Sequence, residues 1–178
     1  LLPETAAALG LPQGVTVCAG AGDNAAAAVG TGTVSTGAAH ADSRCNISLG
    51  TSGTIFISSE KFGVDATNGL HAFAHADGGW HLMGCMLSAA SCNKWWQDAI
   101  IGTNDYKGEE AKIAPEMLGR NHVYFLPYLM GERSPINDTN ARAMFVGMTM
   151  DTARADMTQA MLEGVAFAIR DSFEVAKG

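Results

Sequence analysis

Residues 156–177 place Met157, Ala160, Met161, Gly164, Val165, Ala168 and Phe173 near a 3.6-residue spacing, which predicts the longest helix of the chain with one apolar face. A face of that kind needs a flat apolar partner, and the segments upstream supply strands to build one. Residues 15–19 (Val-Thr-Val-Cys-Ala, between Gly14 and Gly20) read as a short buried strand. Residues 47–49 and 54–58 flank a tight turn bounded by Gly50 and Gly53, a hairpin pattern. Residues 70–76 and 80–86, joined by Asp77-Gly78-Gly79, form a second hairpin, and residues 123–129 and 143–148 are further strands. Shorter helices are expected over residues 2–11, 24–29 and 87–101. Ser88 or Ser91 is the candidate cap of the last of these, and Gly102 its stop. The order of strands, helix, strands and helix predicts a layered α/β domain. Residues 31–46 are small and polar, and the composition shift marks them as a domain crossing. Residues 131–142 read as an irregular loop.

Composition narrows the functions. Of the 178 residues, 47% are hydrophobic and 16% charged, which excludes a disordered chain. The 21 glycines show no three-residue period, so they do not make a collagen. A net charge of −7 argues against nucleic acid or an anionic membrane as partner, because phosphate neutralisation needs Lys and Arg. No apolar run reaches the roughly 18 residues of a membrane span, and no basic, signal-like N-terminal region is visible. Cys18, Cys45, Cys85 and Cys92 lack C-x-x-C spacing and read as reduced core thiols of a cytoplasmic protein.

Two glycine-rich segments carry candidate chemistry. Gly20-Ala21-Gly22-Asp23-Asn24-Ala25 contains G-x-G-x-x-A between a predicted strand and a predicted helix, the pattern of a dinucleotide turn and hence of a nicotinamide-dependent oxidoreductase. Asp23 stands inside that turn, where its carboxylate would repel a pyrophosphate. Two other readings of Asp23 are open: a helix N-cap, and a general base that takes a proton from a substrate hydroxyl. Ser48-Leu49-Gly50-Thr51-Ser52-Gly53-Thr54 is either a polar hairpin turn or a phosphate cradle whose amides and hydroxyls face an anion. It lacks the Gly-Lys-Ser/Thr of a Walker A loop.

The remaining polar clusters read as structural. His71, Phe73 and His75 alternate on one strand face, and positions four apart on a strand are about 13 Å from each other, too far for one metal. His81 and Cys85 fall on the next strand. Trp95-Trp96 reads as core packing, Glu109-Glu110 as a solvated pair, and Glu132-Arg133 as an ion pair pinning a loop, with a direct ligand contact as the other reading.

Taken together, Gly20-Ala21-Gly22-Asp23-Asn24-Ala25 and Ser48-Leu49-Gly50-Thr51-Ser52-Gly53 resemble the middle of an FGGY-type carbohydrate kinase. Ala143-Met144-Phe145-Val146-Gly147-Met148, then Asp156-Met157, then Ala160-Met161-Leu162-Glu163, resemble the family's second signature. Ala143 and Met148 stand where many relatives carry Gly and Leu. Within the family, His81-Leu82-Met83, Leu87-Ser88-Ala89-Ala90-Ser91-Cys92, and Phe125-Leu126-Pro127-Tyr128-Leu129 leading into Gly131-Glu132-Arg133-Ser134-Pro135 are most similar to xylulokinases.

The resemblance implies an actin-like ATPase (ribonuclease H-like) fold, with ATP in a cleft between two domains. On it, residues 1–40 are the end of an N-terminal sugar-binding domain and residues 45–178 an incomplete C-terminal nucleotide-binding domain. It implies that Asp23 is the catalytic base and, with Asn24, contacts the sugar. Gly50, Thr51 and Ser52 would surround the ATP phosphates, and Ala90 and Lys94 would touch the nucleotide, although related kinases carry Gly and Gln at those two places. Mg²⁺ would arrive with ATP, since no carboxylate cage is visible. The implied substrate is a small sugar: xylulose first, gluconate or ribulose as alternatives. A non-catalytic sensor of the same fold is the remaining reading, and a homodimer is left open. The family's first phosphate hairpin, of the type D-x-G-T, and its Gly-rich adenosine segment have no match here, so the sequence is read as an excerpt.

Overall fold

The structure, a computed structural model, describes residues 1–34 and 44–177. Its centre is a four-stranded antiparallel sheet in the order β1-β2-β4-β3, formed by β1 (Cys45–Leu49), β2 (Gly53–Ser59), β3 (His71–Ala74) and β4 (Trp80–Met86). Both expected hairpins are present. β1 and β2 pair from Cys45↔Ile57 to Leu49↔Gly53, leaving residues 50–52 as the turn. β3 and β4 pair from His71↔Met83 to Ala74↔Trp80. Their turn is closed by Gly79 N–H donating to Asp77 Oδ1 at 2.9 Å, with Gly78 at φ 91°. A second, two-stranded sheet pairs β5 (Tyr124–Leu126) with β6 (Met144–Val146), both shorter than their apolar runs suggest.

The helices are α1 (Pro3–Ala8), α2 (Asp23–Gly30), α3 (Ala90–Lys94), α4 (Tyr106–Glu110) and α5 (Arg154–Lys177). Helix α3 runs on as a wider π-helical segment, Trp95–Ile101, ending at Gly102 with φ 76°. The wider turn rotates successive residues through a smaller angle than an α-helix does. Adjacent Trp95 and Trp96 therefore both reach the core: Trp95 stacks 6.2 Å from Phe125, and Trp96 lies 5.4 Å from Phe145 and donates to Thr158 Oγ1 at 2.9 Å. Neither serine caps α3. Ser88 Oγ is buried without a partner, and Ser91 Oγ donates to the Thr51 carbonyl.

Helix α5 ties the two sheets together. Its buried stripe includes Met161, Gly164, Ala168 and Ser172, at steps of three and four. Two glycines set its distance from the strands. A Cβ on Gly164 would stand 2.2 Å from the Phe125 carbonyl oxygen of β5, and one on Gly84 of β4 would stand 2.9 Å from Ser172 Cβ. Met161, Ala160, Phe125, Val123, Trp96 and Cys92 form the main core around this contact.

Three expectations change. Residues 15–19 are not a strand: among the described residues none pairs with them, and Val17 is 67% exposed. A β-branched run becomes a strand only when a neighbouring backbone takes its N–H and C=O groups. Only Cys92 is a core thiol; Cys18 and Cys45 are exposed and Cys85 is half-buried, all four unbridged. Glu109 is not a solvated residue. It lies on α4, an unforeseen helix, and is buried where Lys112 (2.7 Å) and Arg154 (2.9 Å) meet its Oε1. Of the expected domain crossing, residues 35–43 lie outside the described residues. Its flanks are stitched by Asn46 Nδ2 donating to Thr31 Oγ1 at 2.9 Å and Arg44 Nη1 to the Gly32 carbonyl at 3.2 Å.

Gly164→Ala should therefore cost about 1–3 kcal/mol or more in urea denaturation, since the added methyl meets backbone that cannot yield. Gly63→Ala, with nothing within 4 Å of the added carbon, should stay within about 0.5 kcal/mol of the parent.

Candidate active site

Asp23 opens α2, but Gly22, not Asp23, occupies the N-cap, and no side chain caps the helix. Among the described residues Asp23 Oδ1 accepts only from the adjacent Asn24, from its backbone N–H at 2.9 Å and its Nδ2 at 3.4 Å. The carboxylate is exposed and lines a recess of about 260 Å³ with Phe73, His81 and Met83. The capping reading thus fails on geometry, and the carboxylate is left facing open space. The dinucleotide reading loses its footing too, because the strand that must precede the glycine turn is absent.

Asn24 links this recess to the hairpin. Its Oδ1 accepts from Thr54 Oγ1 at 2.9 Å, one residue past the start of β2. A second link is buried: His75 Nε2 lies 3.0 Å from the Thr33 carbonyl. Gly50 and Thr51 are docked on the start of α3 through their carbonyls, while the Ser52 carbonyl accepts Gly50 N–H at 3.0 Å within the turn. The Gly50 oxygen accepts Ala90 N–H at 2.9 Å, and the Thr51 oxygen accepts Ala89 N–H at 3.0 Å and Ser91 Oγ at 2.7 Å. The Thr51 and Ser52 side chains are exposed, and their hydroxyls bond to no described residue, so the donor groups of the turn point outward. Gly53 has no room for a side chain, since a Cβ there would meet Met86 Cγ at 2.7 Å.

Asn24 is thus linked to the hairpin through Thr54 and Ala90 docks the 50–52 turn, whereas the recess at Asp23 is lined by Phe73, Ala74, His81 and Met83 and not by the turn. Lys94 is exposed, and its ammonium is bound by Asp98, whose hydrogen bond holds the lysine charged. Tyr106 donates to the other Asp98 oxygen at 2.8 Å. Glu132 and Arg133 make no ion pair. Glu132 Oε1 instead accepts two backbone N–H groups, of Leu87 at 2.8 Å and Arg133 at 2.7 Å. Among the described residues no three His, Cys, Asp or Glu side chains are grouped to hold a metal ion.

Sequence reading missed Phe73 and His81 as parts of this site, and it placed Thr54 in the hairpin without its bond to Asn24. The register offers the signal for the first two, since Phe73 and His81 are directly paired across β3 and β4 and so share a face. His81 is stacked 3.9 Å from Phe56 and 5.4 Å from Phe73. Burial, with the neighbouring His75 as a second cause and Asp77 opposing, pushes its imidazole down to about 4. The fold therefore holds the neutral ring.

The fold is the actin-like ATPase architecture found in sugar kinases. The structure superposes on a xyloylose kinase from Brucella ovis with a TM-score of 0.84 and 41% identity, covering 99% of this chain and 35% of that one. It matches a gluconate kinase from Lactobacillus acidophilus with a TM-score of 0.83 at 24% identity, covering 98% and 35%, a likeness of fold. In sequence it is 42% identical to the xylulose kinases of Klebsiella pneumoniae and Escherichia coli K12, over 98% of this chain. The sequence profile of the FGGY family of carbohydrate kinases, C-terminal domain, matches residues 45–177, and the chain belongs to that family. It spans about a third (35%) of the length of those two relatives.

Because the neutral His81 is favoured by folding, its contribution to stability is complete above an unfolded value near 6.5 and is lost as pH falls towards 4, by at most about 3 kcal/mol. Melting temperatures between pH 7 and 4.5 should fall more steeply for the parent than for His81→Phe, which keeps the stack and cannot titrate. Parallel curves would contradict the buried neutral imidazole.

Proposed function

We propose that this chain is the middle of an ATP-dependent sugar kinase that phosphorylates D-xylulose to D-xylulose 5-phosphate. Residues 1–40 end the sugar-binding domain, and residues 45–178 form most of the nucleotide-binding domain. The observation that carries the reading is the exposed Asp23 carboxylate, bonded to its neighbour Asn24 and facing a recess, tied through Asn24 and Thr54 to a hairpin whose donors point outward. Likeness to xylulose kinases at 42% identity supports the choice of sugar. The proposed enzyme acts on small solutes in the cytoplasm; no described helix is long and apolar enough to cross a membrane.

In the proposed reaction the sugar hydroxyl lies against Asp23. As its oxygen attacks the γ-phosphorus in line, Asp23 accepts the hydroxyl proton, the bond from phosphorus to the bridging oxygen breaks, and ADP leaves. Asn24, held by Thr54, keeps its Nδ2 near the acceptor. Backbone N–H groups and the Thr51 and Ser52 hydroxyls donate to the phosphates, with Ala90 at the rim of the turn. Mg²⁺ would neutralise phosphate charge and is assigned to the nucleotide, as the described residues offer no grouped ligands. Lys94 is the weakest nucleotide contact, because Asp98 already holds its charge.

The test is sugar-dependent ADP release by the full-length protein, over a panel of pentuloses, hexuloses, gluconate and glycerol. Preference for gluconate would select that kinase instead. NADH turnover without ADP release would restore an oxidoreductase.

Asp23→Asn should lower kcat by roughly 10²–10⁴-fold with little change in melting temperature, since the side chain caps nothing. A near-normal kcat would remove Asp23 from the chemistry. Thr51→Val should raise KM for ATP and spare KM for the sugar, the lost bond to a charged group being worth about 1.5–3 kcal/mol. Unchanged ATP kinetics would show that the turn is not the phosphate cradle.

A further inference from the structure

Glu132 is 1% exposed, in a loop whose neighbours are polar. A carboxylate is expensive to bury unless its oxygens are bonded, and only one of them is. Oε1 accepts the Leu87 and Arg133 amides at 2.8 and 2.7 Å, while Oε2 is buried with no partner. Ser88 Oγ and Ser134 Oγ are likewise buried and unpartnered. Burial pushes the Glu132 carboxyl up, with the two amides opposing. The loop is itself held rigidly. Glu132 N–H donates to the Asp138 carbonyl at 2.8 Å, Ser134 N–H donates to the Cys85 carbonyl at 3.1 Å, and a Cβ on Gly131 would meet Thr139 O at 2.6 Å.

The place this carboxylate grips is informative. Leu87 is the corner between β4 and α3. Two residues further on, Ala89 and Ala90 donate to the Thr51 and Gly50 carbonyls, and Ser91 Oγ joins them. The corner thus receives Glu132 on one side and the hairpin on the other. A loop that merely needed closing could have used a neutral side chain. A carboxylate accepts amide hydrogens more strongly and from two directions at once.

We propose that Glu132 is a positioning residue: it fixes the β4–α3 corner so that the 50–52 hairpin docks with its donors facing the ATP phosphates. The proposal rests on reading that hairpin as the phosphate cradle. It requires ATP use, rather than sugar use, to depend on Glu132. Glu132→Gln keeps an oxygen that can accept both amides, and Glu132→Ala removes it. Ser91→Ala deletes one docking bond without touching the buried cluster.

The experiment is steady-state kinetics of the full-length protein for both substrates, with the ATP-induced rise in melting temperature read alongside. Glu132→Ala should raise KM for ATP about tenfold or more and leave KM for the sugar within about twofold, as expected for a lost bond to a charged group. Glu132→Gln should return KM for ATP to within about threefold of the parent, and Ser91→Ala should raise it about threefold. Should Glu132→Ala not fold, the other two variants decide by the same values. The proposal is overturned by a Ser91→Ala variant with unchanged KM for ATP. It is equally overturned by Glu132 variants that lose stability but keep KM for ATP, or that raise both KM values alike. A parent that gains stability from ATP but phosphorylates no sugar overturns the kinase reading and not this one, because the ATP-induced shift still reports the clamp. A parent that does not bind ATP overturns both.

Discussion

The contact of α5 with two sheets at once is the constraint on which the rest of the structure depends. One helix must lie against β4 of the larger sheet and β5 of the smaller, and a single methyl at Gly164 or Gly84 would separate the layers. Close-packed interiors cannot absorb a displacement of that size without losing contacts elsewhere. Once α5 is seated, Met161 and Ala160 complete a core with Trp96, Phe125, Val123 and Cys92. Cys92 is so enclosed that burial, aided by the Glu132 charge, pushes its thiol up to about 12, leaving an inert apolar group.

From that frame the site follows by short links. The main core holds the π-helical end of α3, the α3 start holds the hairpin carbonyls, and β2 leaves the hairpin to meet Asn24 through Thr54. The docking also settles which groups are free. The first amides of α3 are spent on the Gly50 and Thr51 carbonyls, so the helix N-terminus offers less to an anion than its dipole suggests. Donors for an anion must then come from the turn itself, whose hydroxyls are unengaged.

Much of this was legible from residues. Alternation and glycine placement located both hairpins of the main sheet, and the 3.6-residue stripe located α5 to within two residues at its start. The glycine-flanked turn and Asp23 were visible as candidates before any geometry. What failed had physical causes. Residues 15–19 have strand character, but character is not a partner. Glu109-Glu110 looks like surface because sequence does not show that Lys112 and Arg154 converge on one of them. Glu132 was read against its chain neighbour Arg133, whereas its bond partners are two amides, one of them 45 positions away. The bond of Thr54 to Asn24 and the place of His81 in the site escaped because they depend on which segment crosses above them. Asp23 as base was an open alternative on spacing alone, and the role proposed for it came from family resemblance.

Among the described residues, side-chain bonds join the α2 segment to the main sheet region at Asn24 to Thr54, Thr31 to Asn46, Gly32 to Arg44 and Thr33 to His75. They would form the pivot of any swing of that segment against the sheet. For any rigid swing about a pivot, displacement grows with lever arm, so groups beside it travel least. Asn24 is itself one of these pins, and Asp23 is its neighbour. Such a swing would sweep α1 through a long arc while Asp23 kept its station beside the hairpin.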